Sequence, residues 1–90
     1  MMYRMKKGKT IYDLRYQTLI FELTRERVRL SISQEQLAKQ VGLNQSDISK
    51  IEKHEKRLDV LEFALILDAL RIKENERLQE IVREFIGVLQ

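Results

Sequence analysis

The chain has 90 residues, no cysteine, no proline and only three glycines, and 34% of its residues are charged. That length suits one domain with a modest core, to which a second copy could add stability. The lack of cysteine excludes disulfides, thiolate metal sites and a cysteine nucleophile, and a single histidine disfavours a zinc site. The longest apolar run, residues 63–67, is too short for a membrane span or a signal peptide. We therefore expect a cytoplasmic protein without membrane attachment, metal or cofactor.

The charge is unevenly distributed along the chain. Residues 1–21 carry a net charge of +4, residues 22–57 carry +2, and residues 58–90 carry −3. This distribution favours a polyanionic partner on the N-terminal two-thirds and disfavours one at the tail. Residues 1–12 form a basic arm, which either touches phosphates or a minor groove or is an ordinary disordered terminus. Its cationic residues are Arg4, Lys6, Lys7 and Lys9.

The scarcity of glycine and proline leaves little to bound strands and hairpins, so we predict an all-α fold. Asp13 is suited to cap a first helix that runs to about Arg29, with apolar residues at helical spacing. These are Tyr16, Leu19, Ile20, Leu23 and Leu30.

Residues 33–53 predict two short helices joined by a tight turn. Ser33 and Gln36 have the spacing of a capping box, and Gly42 follows the last apolar residue of the first helix. Asn44 then caps a second helix, in which Ile48 and Ile51 point inward. Helices this short need a third element beneath them, so the turn must hold them at a steep angle.

The outward face of that second helix carries no acid. With the isoleucines inward, its outer positions hold small hydroxyls, an amide and lysines, which can reach base edges and phosphates in a major groove. The residues expected to read bases are Gln45, Ser46, Ser49 and Lys50, and those expected to hold the DNA backbone are Gln34, Asn44, Lys53 and Arg57.

Two further helices are expected beyond the motif. Asp59 and Glu62 repeat the capping-box spacing and open a fourth helix, and residues 74–89 predict a fifth. The apolar stripe on the fifth helix either packs back on the chain's own core or contacts the same helix of another copy. Its members are Leu78, Ile81, Val82, Phe85 and Leu89, with Phe85 as the best anchor of a dimer interface.

These residues resemble the Xre-type helix-turn-helix family, which includes the phage lambda-like repressors and Cro proteins. The resemblance rests on the spacing of Gln34, Ala38, Gly42, Ile48 and Ile51 and extends from about Asp13 to Leu70. It implies a five-helix lambda-repressor-like fold with a DNA-binding domain over residues 13–72, and a dimerisation helix of the same domain over residues 73–90.

The resemblance also assigns a structural pair, because a glutamate at the position of Glu52 pairs in the family with an arginine at the position of Arg27. The sequence departs from the family at His54 and Ser31, where glycine is usual, and at Leu58, where proline is common. We expect His54 to be an exposed residue that tolerates a positive φ.

We predict a sequence-specific transcriptional regulator that binds a near-palindromic operator as a homodimer. A repressor is favoured over an activator. The alternative is an antitoxin-type protein that binds a partner toxin as well as its own operator. An enzyme is not expected, because His54 beside Glu55 is the only local pair of catalytic residue types, and adjacent loop residues do not form a site.

Overall fold

A computed structural model describes residues 11–87, which contain five α-helices and no strand. The helices are α1 (Leu14–Arg29), α2 (Gln34–Val41), α3 (Gln45–Glu52), α4 (Val60–Ala69) and α5 (Glu76–Gly87). The all-α, five-helix prediction is confirmed. Most of the predicted arm, residues 1–10, and the last three residues, including Leu89, lie outside the described part of the chain.

The first four helices begin where their caps predict. Asp13 caps α1, and its hydrogen bonds with the Arg15 side chain hold its pKa well below the usual value. Complete capping boxes, in which each side chain bonds the other residue's backbone N–H, open the next three helices. They are formed by Ser33 with Gln36, Asn44 with Asp47, and Asp59 with Glu62.

Each of the helices α1 to α4 is followed by one residue whose backbone is in the left-handed region. Gly42 has φ +76° after α2, whereas Ser31, His54 and Arg71 take φ values of 59°, 64° and 64° after the other three. In each case the following N–H bonds a carbonyl five residues earlier, as from Ile32 to Arg27 at 3.1 Å. These are Schellman-type ends. The positive φ expected at His54 is confirmed, but the residue is half-buried rather than exposed.

The core lies where α1, α2, α3 and α4 meet, with one contribution from α5. α2 packs against both α3 and α4, and α1 packs against α3 and α5. The buried apolar residues are Leu19, Ile20, Leu23, Leu37, Ala38, Val41, Ile48, Ile51, Ile66, Leu70 and Leu78. The core therefore holds the short helices α2 and α3 against a scaffold made by the longer ones.

The start of α5 corrects the prediction that this helix begins at Glu74. Asn75 precedes the helix, and its side-chain oxygen accepts the Leu78 N–H at 3.0 Å, so the helix begins at Glu76. Asn75 also donates from Nδ2 to the buried carboxylate of Glu26 on α1 at 2.6 Å. One amide therefore caps α5 and ties it to α1.

Glu26 is the most buried charged side chain that the structure describes. Arg29 Nε donates to Glu26 Oε1 at 2.9 Å, and Arg77 of α5 lies 3.5 Å from the same oxygen. The hydrogen-bonded Arg29 guanidinium, more than any other neighbour, holds the pKa of Glu26 below its usual value. A buried carboxylate with this many donors stays ionised and joins α1 to α5.

Candidate nucleic-acid interface

The connection between α2 and α3 fixes how α3 leaves the body of the domain. Gly42 takes the left-handed conformation at φ +76°, and its N–H bonds the Ala38 carbonyl. The Leu43 N–H bonds the same carbonyl at 2.9 Å, and the half-buried Leu43 packs against the core. Asn44 is already the N-cap of α3, so the backbone changes direction within the three residues 42–44. The turn therefore holds α3 in place together with the buried side of the helix.

The outward side of α3 carries the residues predicted to read bases. Ile48 and Ile51 are buried, whereas Gln45, Ser46 and Lys50 are exposed. Ser49, the fourth predicted residue, is half-buried. The carboxylate of Asp47 faces the Asn44 N–H and Lys56 rather than standing alone on the exposed face. The exposed part of α3 is thus an amide, a hydroxyl and an ammonium group.

The hydroxyl of Ser46 is partly committed to the fold. It donates to Asn44 Oδ1 at 2.7 Å, and the same oxygen accepts the Asp47 N–H at 2.9 Å. A serine hydroxyl has only one proton to donate, so Ser46 can offer an approaching base only acceptor lone pairs while this bond is made. The Asn44 oxygen is likewise used by the cap, so the side chain can offer another molecule only the N–H groups of its amide.

The predicted pair of Arg27 and Glu52 forms one part of a longer chain of hydrogen bonds. Arg27 Nε and Nη2 donate to the two oxygens of Glu52 at 2.7 and 3.0 Å, and Nη1 donates to the Ile32 carbonyl at 2.7 Å. Gln34 Nε2 donates to Glu52 Oε1 at 2.8 Å, and Gln45 Nε2 donates to Gln34 Oε1 at 2.7 Å. These hydrogen bonds link α1 to the end of α3, the end of α3 to the start of α2, and the start of α2 to the first residue of α3.

This arrangement leaves useful hydrogen-bonding capacity on Gln45. A primary amide has two N–H donors and one oxygen with two lone pairs. One N–H of Gln45 is used by Gln34, so one donor and the whole oxygen remain on an exposed side chain. Adenine presents one acceptor and one donor in the major groove, which matches that remainder. Gln34 keeps one free N–H at the N-terminal end of α2, where an anion is favoured.

The cations around α3 divide into two groups. Lys56 lies 3.4 Å from Asp47 and 3.8 Å from Glu62, so it joins α3 to the first turn of α4. Lys50, Lys53 and Arg57 are exposed at and beyond the end of α3. The predicted backbone-binding lysine and arginine therefore lie near the C-terminal end of α3, and Gln34 lies near its N-terminal end.

The apolar stripe of α5 is mostly used within the same chain. Leu78 is 0% exposed in the core, so the expectation that it contacts a second copy is corrected. Ile81 and Phe85 are half-buried and pack against the core, and Val82 is half-buried. A groove of about 400 Å³ remains between α1 and α5, with Leu14, Ile81 and Phe85 among its lining residues. Contact of Ile81, Val82 and Phe85 with a second copy stays a prediction.

Two residues of this region were missed by the sequence analysis, Asn75 and Glu26. Asn75 carried a signal, since an asparagine three residues before the apolar Leu78 is typical of a helix start. Glu26 carried none, because its spacing along α1 does not show which side chains of α5 surround it.

Neither a cluster of metal ligands nor a membrane-spanning helix occurs among the described residues. Within residues 11–87, no three histidine or acidic side chains lie close enough together to hold a metal ion. None of the five described helices is long and apolar enough to cross a membrane.

A family model described as helix-turn-helix matches residues 23–77, a range that spans the end of α1, all of α2, α3 and α4, and the start of α5. A search of curated proteins finds no significant match.

Proposed function

Because that model covers more than half of the chain, the chain belongs to the Xre-type helix-turn-helix family of DNA-binding regulators, and we propose that it is a cytoplasmic repressor that binds a near-palindromic operator as a homodimer. In this proposal α3 of each copy enters a major groove. Two grooves on one face of the duplex are about 34 Å apart, so the half-sites are separated by about one helical turn.

The observation that carries the proposal is the hydrogen-bonding capacity that the Gln45 amide keeps after it has bonded Gln34. This amide is exposed at the N-terminal end of α3 and held by Gln34, and it retains one donor and one acceptor for a base. Lys50, five residues further along, is exposed and suits the acceptors of guanine. Ser46 and Ser49 lie between them and supply acceptor oxygens or close packing.

Backbone contacts set the register in this proposal. Gln34 and Asn44 offer amide N–H groups at the starts of α2 and α3, and Lys53 and Arg57 offer positive charge beyond the end of α3. These contacts carry no sequence information, but they make binding dependent on salt. If a dimer engages about six to ten phosphates, log K against log salt falls with a slope of about −5 to −9.

The test begins with a selection of bound sequences from random duplex DNA, followed by fluorescence anisotropy on the selected site. We expect the selected sites to be near-palindromes. Lys50→Ala should weaken binding to the selected site by about 1–3 kcal/mol and relax the preference at one position of each half-site. The matched control is Lys73→Ala, which removes an equal charge from an exposed position outside α2 and α3.

Equal losses for Lys50→Ala on selected and random DNA would show that Lys50 does not read bases, and a flat salt profile would exclude the backbone contacts. An antitoxin-type protein binds its operator in the same way, so the same experiment tests that part of the alternative.

A further inference from the structure

A groove between α1 and α5 leaves apolar side chains of both helices uncovered. Its volume is about 400 Å³, and it extends along residues 14–22 of α1 and residues 77–85 of α5. Leu14 is 76% exposed at one end of the groove, and Ile81 and Phe85 are half-buried. Concave surfaces of this size with apolar side chains in their lining are common binding sites. The groove is therefore a place where another segment of chain can bind.

The two cations that line the groove are neutralised from within the chain. Arg15 Nη2 lies 2.6 Å from Asp13 Oδ2, and Arg77 Nε lies 3.5 Å from the buried carboxylate of Glu26. Arg83, the other cation of α5, does not line the groove. The positive charge on the lining is therefore already matched by acids outside it.

Three glutamates on the rim of the groove are less well matched. Glu22 Oε1 lies 3.7 Å from the exposed Arg25. Glu80 and Glu84 are exposed, and within residues 11–87 their carboxylates form no hydrogen bond or ion pair. An occupant that suits the groove therefore brings positive charge together with apolar side chains.

Residues 1–10 of the same chain have that composition. They contain four cations and no acid, together with all three methionines of the chain and a tyrosine. Methionine adapts its shape to irregular apolar surfaces, and tyrosine covers a large apolar area. The segment therefore matches the groove both in charge and in apolar character.

The segment joins the described part of the chain close to the groove. Gln17 Nε2 donates to the Ile11 carbonyl at 3.3 Å, and Gln17 is three positions from Leu14, so these two side chains are neighbours on α1. Ten extended residues reach about 33–36 Å, whereas the rise of α1 from Leu14 to Glu22 is only about 12 Å. The segment can therefore cross the start of α1 and still span the groove. A short tether also gives it an effective concentration on the order of millimolar.

We propose that residues 1–10 bind in the groove between α1 and α5 of the same chain, with their apolar side chains on its lining and their cations beside Glu80 and Glu84. A second copy that entered the groove through its own α5 would bring the same carboxylates, and like charges repel. The bound segment covers the apolar lining and fastens the end of α5 to α1, whereas Asn75 fastens only the start of α5. The inference goes beyond the proposed function and does not depend on it, because it gives the basic arm a binding site within the protein.

Paramagnetic broadening in NMR spectra of the full chain without DNA tests the proposal. The sequence has no cysteine, so Met2→Cys provides a single site for a nitroxide spin label. The label should broaden the amide signals of Glu22 and Arg77, which lie at the end of the groove away from Leu14. The amide signal of the exposed Val60 on α4 should stay sharp.

Charge reversal on the rim identifies the contact. In the spin-labelled chain, Glu80→Lys/Glu84→Lys should abolish the broadening, and the fold should persist because both native side chains are exposed. The matched control is Glu35→Lys/Glu55→Lys, which makes the same change of charge at exposed positions outside the groove and should keep the broadening. If the rim variant does not fold, Glu80→Gln/Glu84→Gln decides by the same criteria.

Two further samples separate this contact from its alternatives. Lys6→Glu/Lys7→Glu, added to Glu80→Lys/Glu84→Lys, should restore the broadening, because opposite charges then face each other again. A mixture of spin-labelled chains with isotope-labelled chains that lack the spin label reports contacts between copies, and it should show no broadening.

Several results would overturn the proposal. Sharp signals of Glu22 and Arg77 in the spin-labelled chain would leave the groove to residues 88–90 or to a second copy. Broadening that survives the reversal at Glu80 and Glu84, or that is lost equally in the matched control, would show that the rim does not hold the segment, as would a reciprocal variant that stays sharp. Broadening in the mixed sample would place the segment on another copy instead of on its own chain.

Discussion

The hydrogen bond from Gln45 to Gln34 predicts that the two glutamines act as a unit on DNA. In the proposed complex Gln45 makes a bidentate contact with a base, so Gln45→Ala should cost about 1–3 kcal/mol on the selected site. Gln34→Ala removes the acceptor that orders the Gln45 side chain, and ordering a side chain of this type costs about 0.5–1.5 kcal/mol. Gln34→Ala also removes the N–H that we propose contacts a phosphate, and that loss should be the same on random DNA.

A double-mutant cycle measured by fluorescence anisotropy separates these contributions. In the Gln45→Ala background, Gln34→Ala should lose only its phosphate contact, so the two effects should fall short of additivity by about 0.5–1.5 kcal/mol on the selected site. Folding should be little changed, because Glu52 keeps both hydrogen bonds from Arg27. Additive effects on the selected site, or an equal coupling on random DNA, would show that Gln34 does not orient Gln45 for base reading.

Two predictions concern stability and are checked by denaturant unfolding. Glu26→Gln should destabilise the domain by about 1–3 kcal/mol at neutral pH. Because the pKa of Glu26 is lowered on folding from an ordinary value of 4.5, the stability from its carboxylate is complete above that pH and is lost as the pH falls below it. The variant should therefore show a flatter loss of stability in acid, and an unchanged acid slope would refute the network's role. Tyr16→Phe should cost about 1–3 kcal/mol, because the Tyr16 hydroxyl accepts the Leu58 N–H at 2.9 Å and ties α1 to the α3–α4 connection; an unchanged unfolding midpoint would show that water replaces it.

The first four helices could be predicted from sequence because two independent local signals coincide in each. A capping residue precedes an apolar stripe of helical period, and both depend on residues within four positions of one another. The exposure of Gln45 and Lys50 follows from the same periodicity once Ile48 and Ile51 are placed inward.

What could not be predicted depends on contacts between distant parts of the chain. Helical periodicity identifies the stripe on α5, but it does not show that Leu78 is covered by the chain's own core. The bond from Gln45 to Gln34 joins residues 11 positions apart across a turn, and its existence depends on the angle between α2 and α3. The commitment of the Ser46 hydroxyl to Asn44 likewise follows from a side-chain rotation that residue types alone do not specify.

The left-handed residues after α1, α3 and α4 have a consequence for how this domain could be made more robust. Each of Ser31, His54 and Arg71 bears a Cβ atom in a conformation that costs an L-residue about 1–2 kcal/mol, whereas Gly42 bears none. Within residues 11–87 there are therefore three positions at which a single change to glycine should raise the stability of the domain, and none of the three lies in the apolar core or on the outward side of α3. The modest stability expected of a domain this small is thus set partly by residue choice at helix ends, and not by its size alone.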